Sequence, residues 1–146
     1  MRMKVGIALA ALSVMVFASA GVAVSQDDPI AARQQLMKNN GAAMGALNAM
    51  VKGDQPFDAA AAKAAFQTIV DDMTVFPTLF PDGSDTGDTK AGPAIWTDRA
   101  GFEAAAAKLA SDAAAAAASV ITLDELKAAF PTVGANCGAC HQKYRT

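Results

Sequence analysis

Both cysteines and the single histidine of the chain lie within its last ten residues, in the sequence "CGACH". Two thiols three residues apart, followed directly by an imidazole, form the Cys-x-x-Cys-His pattern through which haem is attached covalently. In that chemistry the two thiols add to the two haem vinyl groups, and the histidine nitrogen then lies beside the iron. The motif predicts one haem c, held by Cys137 and Cys140, with His141 as an axial iron ligand.

Other uses of the two cysteines fit the sequence less well. A disulfide between them would close a very short loop and constrain the unfolded chain little. A thioredoxin-type site follows a strand and opens a helix, and no strand pattern precedes Cys137. A structural zinc site usually takes four ligands, whereas Cys137, Cys140 and His141 are the only soft ligands near one another. A structural or metal-handling helical protein without haem remains the alternative.

Four helical segments are predicted to position this motif. The first begins at Pro29, with Asp28 as its N-cap, and ends at Gly53. The second has Asp58 as its cap and ends at Pro77. Along the first segment, apolar residues recur every seven positions and form one stripe. These residues are Ile30, Met37, Met44 and Val51.

The segment Pro77–Trp96 is rich in proline, glycine and aspartate and is predicted to be a long loop. Its length requires anchors, for which the apolar side chains of Leu79, Phe80, Ile95 and Trp96 are the candidates. The third helix is predicted from Thr97 to Ser119. Short loops between most of the helices favour an all-α, up-down-up-down four-helix bundle.

The fourth helix carries the terminal motif. It begins at Thr122, which forms a capping box with Glu125, and Pro131 either kinks or splits it. On a helix, the residues at positions 133, 137, 140, 141 and 144 share one face, which suits a flat macrocycle. These residues are Val133, Cys137, Cys140, His141 and Tyr144.

Residues 1–25 have the pattern of a signal peptide. Arg2 and Lys4 precede the uncharged run Val5–Val24, which ends in small residues. A membrane helix is the alternative, because about 20 apolar residues can span a bilayer. No second hydrophobic segment follows, so we expect cleavage and an exported domain of residues 26–146 that is free of the membrane.

The charge and the composition exclude other classes of function. The sequence contains 12 Lys and Arg and 14 Asp and Glu. Removal of the signal peptide takes away two basic residues and leaves a net charge of −4. An acidic chain disfavours nucleic-acid binding. There is no second histidine for a catalytic triad and no Gly-rich phosphate loop, so the protein is not expected to be an enzyme.

The sequence resembles the class II cytochromes c, which include cytochrome c′ and its low-spin relatives. The resemblance covers about residues 29–145. "CGACHQKYR" resembles the C-terminal haem site of that family, "ARQQLMKNNGAAMGAL" its first helix, and "FPTLFPDGSDTGDTKAGPAIW" its long second connection. It implies a left-handed four-helix bundle with haem in the core, a bacterial periplasmic location, and dimerisation through the first two helices as an option common in the family.

The ligand opposite His141 is not given by the motif. A second histidine is absent, and the mature chain offers Met37, Met44, Met50 and Met73. In an up-down-up-down bundle the end of the last helix lies near the start of the first, which makes Met37 the nearest candidate. The resemblance also points to Met37, which falls where low-spin members have a methionine ligand and cytochrome c′ has an apolar residue that only blocks the iron. The alternative is that Met37 only fills the core.

Four further residues have two interpretations each. Arg33, one turn before Met37, would need an anion if it points inward; the resemblance implies a haem propionate, and the alternative is a solvated side chain. Lys143 and Arg145 provide either a positive rim for a partner or a frayed terminus. Trp96 resembles a family position near the haem, and the alternative is a loop anchor in the core.

Two functions follow from these predictions. The first is an electron carrier that passes single electrons between redox partner proteins through a low-spin haem with His141 and Met37 as ligands. The second is a high-spin, five-coordinate protein of the cytochrome c′ type, in which only His141 binds the iron and nitric oxide or carbon monoxide binds on the open side.

Overall fold

The computed structural model describes residues 28–146, so the predicted signal peptide lies outside the described residues. Within them the chain is helical and has no strand, with one isolated backbone bridge. The helices are α1 (Pro29–Lys52), α2 (Ala59–Val75), the short α3 (Ala94–Thr97), α4 (Arg99–Ser119) and α5 (Leu123–Tyr144). The predicted all-α four-helix bundle is confirmed, with α1, α2, α4 and α5 as its long helices.

The first two helices begin at the predicted residues, and α1 ends as predicted before Gly53. α2 ends at Val75, two residues before the predicted Pro77, and a short 3-10 helix follows it over Phe76–Leu79. The Asp28 carboxylate accepts the Ala31 N–H at 2.9 Å, and Asp58 accepts the Ala61 N–H at 3.0 Å. Each cap satisfies one of the free N–H groups of a helix start. Gly53 follows α1 with φ of 81°, a left-handed conformation that glycine adopts without steric cost.

The third long helix begins two residues later than predicted. Asp98 has φ of −129° and ψ of 56°, and its carboxylate accepts the Gly101 N–H at 3.3 Å. Asp98 therefore caps α4 and separates it from α3, which turns Thr97 into the end of a different helix. The last helix shows the predicted capping box between Thr122 and Glu125. It runs through Pro131 without being split.

The core lies between the long helices. α2 packs most extensively against α4, while α1 packs less extensively against α5 than against α2. The largest fully buried side chains include Leu47, Phe66, Ile69 and Leu126. Each such side chain contributes roughly 1.5–3 kcal/mol relative to exposure. Leu47 is the most buried residue of α1 and lies outside the seven-residue stripe that the sequence predicted.

The long connection between α2 and α4 is anchored by aromatic side chains. Phe80 and Ile95 are buried, and Trp96 packs against Phe80 with ring centroids 6.0 Å apart. The Trp96 indole N–H donates to the Pro81 carbonyl at 3.4 Å. Phe102 of α4 packs edge-on against Phe80, with centroids 4.9 Å apart. The predicted role of Trp96 as a loop anchor agrees with these contacts.

The end of the chain is tied to the same connection. The Gly92 N–H donates to the Tyr144 carbonyl at 2.8 Å, and the Thr146 N–H donates to the Lys90 carbonyl at 2.9 Å. A Cβ at position 92 would lie only 3.1 Å from the Tyr144 carbonyl oxygen, so glycine permits this approach. The backbone of the last residues is therefore paired rather than frayed, while the side chains of Lys143 and Arg145 are exposed. In residues 28–146, no helix combines the length and the apolar character that crossing a bilayer requires.

Candidate haem site

A cavity of about 710 Å³ lies between the four long helices, towards the C-terminal end of α5. This volume falls within the roughly 300–1,000 Å³ of cofactor and ligand pockets. Most of the lining is apolar and comes from all four long helices. Apolar side chains of this lining include Met73, Phe76, Phe102, Ala106 and Leu109. The cavity therefore fits a large, mostly apolar group.

The α5 wall carries the motif. Cys137, Cys140, His141 and Tyr144 line the cavity, as the predicted helix face requires. Val133, the fifth residue of that face, is 1 % exposed and packs in the bundle core instead. The two cysteines are free thiols and half-buried, which suits addition to a group inside the cavity.

The protonation of the α5 groups follows from their surroundings. Burial raises the pKa of the Cys137 thiol, and burial and then the neighbouring Cys137 raise that of Cys140. Partial burial, followed by the positive charge of Arg145, lowers the pKa of His141. A lowered pKa favours the neutral imidazole, which is the form that binds a metal.

The α1 wall faces this motif. Arg33, Met37, Asn40 and Met44 recur along α1 at intervals of three or four residues, and all line the cavity. Met37 is partly buried. Of the four methionines of the mature chain, Met37, Met44 and Met73 line the cavity, whereas Met50 is not part of the lining.

One contact sets the register between the two walls. The end of the Met44 side chain lies 3.7 Å from the position that a Cβ on Gly134 would occupy. Because α1 and α5 run in opposite directions, a step of seven residues, or roughly 10 Å, towards the start of α1 matches seven residues towards the end of α5. That step leads from Met44 to Met37 and from Gly134 to His141. By this register Met37 and His141 lie on facing walls at levels that agree to within about one helical turn.

Arg33 is buried and holds the long connection in place. Its side chain is 4 % exposed, so the solvated alternative is wrong. Nη1 donates to the Leu79 carbonyl at 3.2 Å and to the Ser84 hydroxyl at 3.0 Å. Nη2 donates to the Ser84 carbonyl and to the Thr89 hydroxyl, both at 2.7 Å.

The charge of Arg33 has no carboxylate partner within hydrogen-bonding distance in residues 28–146. All four acceptors are neutral, and the guanidinium carbon lies 4.5 Å from the centre of the Phe80 ring. Burial lowers the pKa of Arg33, and the more distant Asp28 offsets this in part. Of the five N–H donors of an arginine, the Nε–H is the one not committed to the connection.

Asn40 was not singled out from the sequence. Its side chain is 9 % exposed and lines the cavity, yet neither its amide nitrogen nor its oxygen has a hydrogen-bond partner in residues 28–146. Buried polar groups are hydrogen-bonded in most proteins, so the site contains a polar group that requires a partner. The feature of the sequence that could have identified Asn40 is its position three residues after Met37, on the inward face of α1.

The mouth of the cavity carries more positive than negative charge. Lys38, Lys90 and Arg145 are exposed and line the cavity, together with the exposed Asp88. Lys143, which was also predicted for this rim, instead forms an ion pair with Asp98 at 2.6 Å.

The structure does not support a structural zinc site. Within the described residues, no group of three or more His, Cys, Asp and Glu side chains is arranged to hold a metal ion. The donors present are two thiols and one imidazole at the edge of a cofactor-sized apolar cavity. That donor set fits covalent haem c.

Comparison with known proteins identifies the family. The sequence model described as Cytochrome C' matches residues 28–145. Cytochrome c-556 of Agrobacterium fabrum is 50 % identical over 114 residues, which cover 77 % of each chain. Cytochrome c′ of Rhodopseudomonas palustris is 40 % identical over 138 residues, or 94 % of each chain. The chain belongs to the cytochrome c′ family, the class II cytochromes c, and binds haem c covalently.

Solved structures of the family confirm the fold. Cytochrome c′ from Rhodopseudomonas palustris superposes with a TM-score of 0.79 at 41 % identity and covers 82 % of this chain and 96 % of that chain. The structural model of oxidised cytochrome c556 from R. palustris gives a TM-score of 0.74 at 35 % identity, with the same coverage. Relatives of both names are therefore similar to this chain along almost the whole bundle.

Proposed function

We propose that this protein carries single electrons in the bacterial periplasm through a low-spin haem c, with His141 and Met37 as the two axial ligands. When bound, the haem supplies an iron centre that changes its charge by one electron. The chain supplies the two thioether links through Cys137 and Cys140, the two ligands, and a cavity that excludes bulk water. Neither activity as an enzyme nor nucleic-acid binding is part of this proposal.

The observation that carries the proposal is the register between α1 and α5. The approach of the Met44 methyl group to Gly134 supports a register in which Met37 and His141 face each other across the cavity. Met44 itself is about 10 Å away along the helix and is used in packing against α5. Met73 lies on α2 and is 4 % exposed, within the main core cluster. Met37 is therefore the methionine best placed to bind iron opposite His141.

The surroundings suit an electron carrier. A methionine ligand and an apolar cavity lining both favour the reduced form and raise the reduction potential. The buried guanidinium of Arg33 has the same effect, because a positive charge near the iron disfavours the oxidised state. Its remaining Nε–H and its charge are available to a haem propionate, and we propose this role for Arg33 in addition to its hold on the connection.

The mouth of the cavity is the proposed contact surface for redox partner proteins. Lys38, Lys90 and Arg145 surround the opening on a chain whose overall charge is negative. Such a local positive field favours the approach of an acidic partner. We further propose that the exported chain is free of the membrane after cleavage of residues 1–25, with a homodimer as the option that the family implies.

The optical spectra of the mature holoprotein test the proposal. We expect a six-coordinate, low-spin spectrum in both oxidation states, and a sulfur-to-iron charge-transfer band in the oxidised state. Met37→Leu should lose that band and become high-spin, whereas Met44→Leu should keep it. A high-spin wild type, or a band that persists in Met37→Leu, contradicts Met37 as the ligand.

A second function, binding of nitric oxide or carbon monoxide at a five-coordinate iron, is favoured by a different observation. The relative named cytochrome c′ matches 94 % of this chain, and in the family a residue at the position of Met37 can block the iron without binding it. Carbon monoxide added to the reduced holoprotein separates the two functions. Rapid binding with a large spectral change supports gas binding, whereas slow or absent binding supports electron transfer.

A further inference from the structure

We propose that the Asn40 side-chain amide donates a hydrogen bond to the Met37 sulfur on the iron side of the cavity, which makes Asn40 a positioning residue for the axial ligand. The inference rests on the proposed His141 and Met37 ligation. Its starting point is that Asn40 is nine-tenths buried, lines the cavity, and has both polar atoms unpaired in residues 28–146.

The helix places Asn40 beside Met37. Residues three apart on a helix are neighbours, with Cβ atoms roughly 5–6 Å from each other. Helical side chains lean towards the N-terminal end of their own helix, so the carboxamide of Asn40 lies over the turn that contains Met37. The Met37 side chain has rotatable bonds and a polarisable sulfur that accepts weak hydrogen bonds. Asn40 has no partner among residues 28–146 as they stand, so the proposed bond requires the Met37 side chain to rotate towards the carboxamide when the haem is bound.

Other partners for Asn40 are less well placed. Arg33, the proposed partner of a propionate, is seven residues away, or roughly 10 Å along α1, so Asn40 is far from that edge of the cavity. Asn39, the neighbour on α1, bonds to Gln35 instead and lies outside the lining. The face of a macrocycle offers no strong acceptor. The remaining acceptor for the Asn40 amide is therefore the proposed ligand of the iron, the Met37 sulfur.

The direction in which Asn40 shifts the reduction potential follows from its role as a hydrogen-bond donor. An N–H that points at the sulfur withdraws electron density from the ligand, and the positive end of the amide dipole then faces the iron. Both effects disfavour the oxidised state, which carries one more positive charge. Loss of the amide should therefore lower the reduction potential. An apolar replacement alone would act in the opposite direction, because a less polar cavity disfavours the charged state.

The test compares Asn40→Leu with Asn48→Leu in the mature holoprotein. Asn48 is on the same helix but outside the cavity lining, so it controls for the substitution itself. At a fixed ambient potential, we expect Asn40→Leu to raise the ratio of oxidised to reduced protein by roughly fivefold, the size of one modest hydrogen bond. The sulfur-to-iron charge-transfer band should move in Asn40→Leu and stay in place in Asn48→Leu.

A second measurement observes the amide directly. In the reduced ¹⁵N-labelled holoprotein, the Asn40 side-chain NH₂ signals should be displaced by the haem ring current and exchange slowly with water, unlike those of Asn48. A higher potential in Asn40→Leu than in Asn48→Leu, or a charge-transfer band that stays in place in Asn40→Leu, overturns the role of Asn40, while the presence of the band in the wild type still supports Met37 as the ligand. Absence of that band from the wild type overturns the proposed function, and the role of Asn40 with it.

Discussion

The two walls of the cavity carry the same cofactor by different means. The α5 wall presents two thiols and an imidazole at a fixed spacing, and each of these groups has a defined chemical role. The α1 wall presents the thioethers of Met37 and Met44, one buried guanidinium and one unpaired carboxamide, whose roles depend on what lies beside them. The first wall forms the covalent links to the cofactor, and we propose that the second wall supplies the second iron ligand and the polar groups around it.

The two walls are also fixed in place by different hydrogen bonds. The end of α5 is tied by backbone hydrogen bonds to residues 90–92 and by the side chains of Lys143 and Tyr144 to Asp98. α1 is tied to the connection by the four hydrogen bonds of Arg33. Both walls therefore depend on the long connection between α2 and α4, which acts as a structural part of the site.

The largest effect should come from the α5 wall. With Cys137→Ala and Cys140→Ala together, no thioether can form, so we expect complete loss of covalent haem. The mass of the purified, denatured chain and a haem stain after denaturing electrophoresis check this. Gly138→Ala lies between the two cysteines and is the matched control, because a Cβ there meets no atom within 4 Å.

On the α1 wall, Arg33→Met should destabilise the holoprotein. It removes four hydrogen bonds and leaves buried acceptors on Ser84 and Leu79 without a donor, at a cost of about 3 kcal/mol. Chemical unfolding followed by circular dichroism measures this loss. Lys52→Met, exposed at the end of the same helix, should change the free energy of unfolding by less than about 0.5 kcal/mol. Equal effects of the two substitutions would contradict the anchoring role.

The mouth, to which both walls contribute, should show a smaller effect. Lys38→Ala with Lys90→Ala should slow oxidation of the reduced protein by hexacyanoferrate(III), an anionic probe, by about threefold at low ionic strength. The difference should disappear at high salt. Lys127→Ala, exposed on α5 outside the cavity lining, is the control. A slower reaction that persists at high salt would exclude an electrostatic cause.

The smallest effect concerns the support of α5. Hydrogen bonds from Lys143 and then from Tyr144 lower the pKa of Asp98. A carboxylate with a lowered folded-state pKa contributes stability above its ordinary value of 3.8, and loses it as the pH falls through the folded value. Asp98→Asn keeps a capping side chain without the charge. Its stability should therefore fall less steeply below about pH 4 than that of the wild type, as unfolding in urea at several pH values measures. If the stability of the two proteins falls equally steeply below about pH 4, the charge of Asp98 does not have this role.

Much of the fold and one wall of the site could be predicted from the sequence. Cap residues such as Asp28 and Thr122 act locally, so the helix starts were visible, and the Cys-x-x-Cys-His spacing identified Cys137, Cys140 and His141 together. Asp98 also caps locally, through the Gly101 N–H, but the sequence does not distinguish it from the adjacent Thr97, another residue type that caps helices. Its bonds to α5 come from residues 45 and 46 positions away and depend on the tertiary structure.

The α1 wall was less predictable for the same reason. The burial of Arg33 depends on Ser84 and Thr89, more than 50 residues away in the chain. Asn40 attracts no notice in the sequence, because an asparagine on a helix is usually solvated. Only the tertiary structure shows that it is buried without a partner. Met37 is intermediate between these cases, since its place in the stripe was visible but its level opposite His141 required the contact of Met44 with Gly134.

The most direct test of the central claim is a ¹H–¹³C spectrum of the reduced mature holoprotein with methyl-labelled methionine. A methionine bound to iron holds its methyl group over the haem, where the ring current shifts the signal strongly upfield. We predict one such signal among those of Met37, Met44, Met50 and Met73, and its absence from Met37→Leu. If all the methyl signals lie in the ordinary range, or if the shifted signal persists in Met37→Leu, Met37 is not the axial ligand.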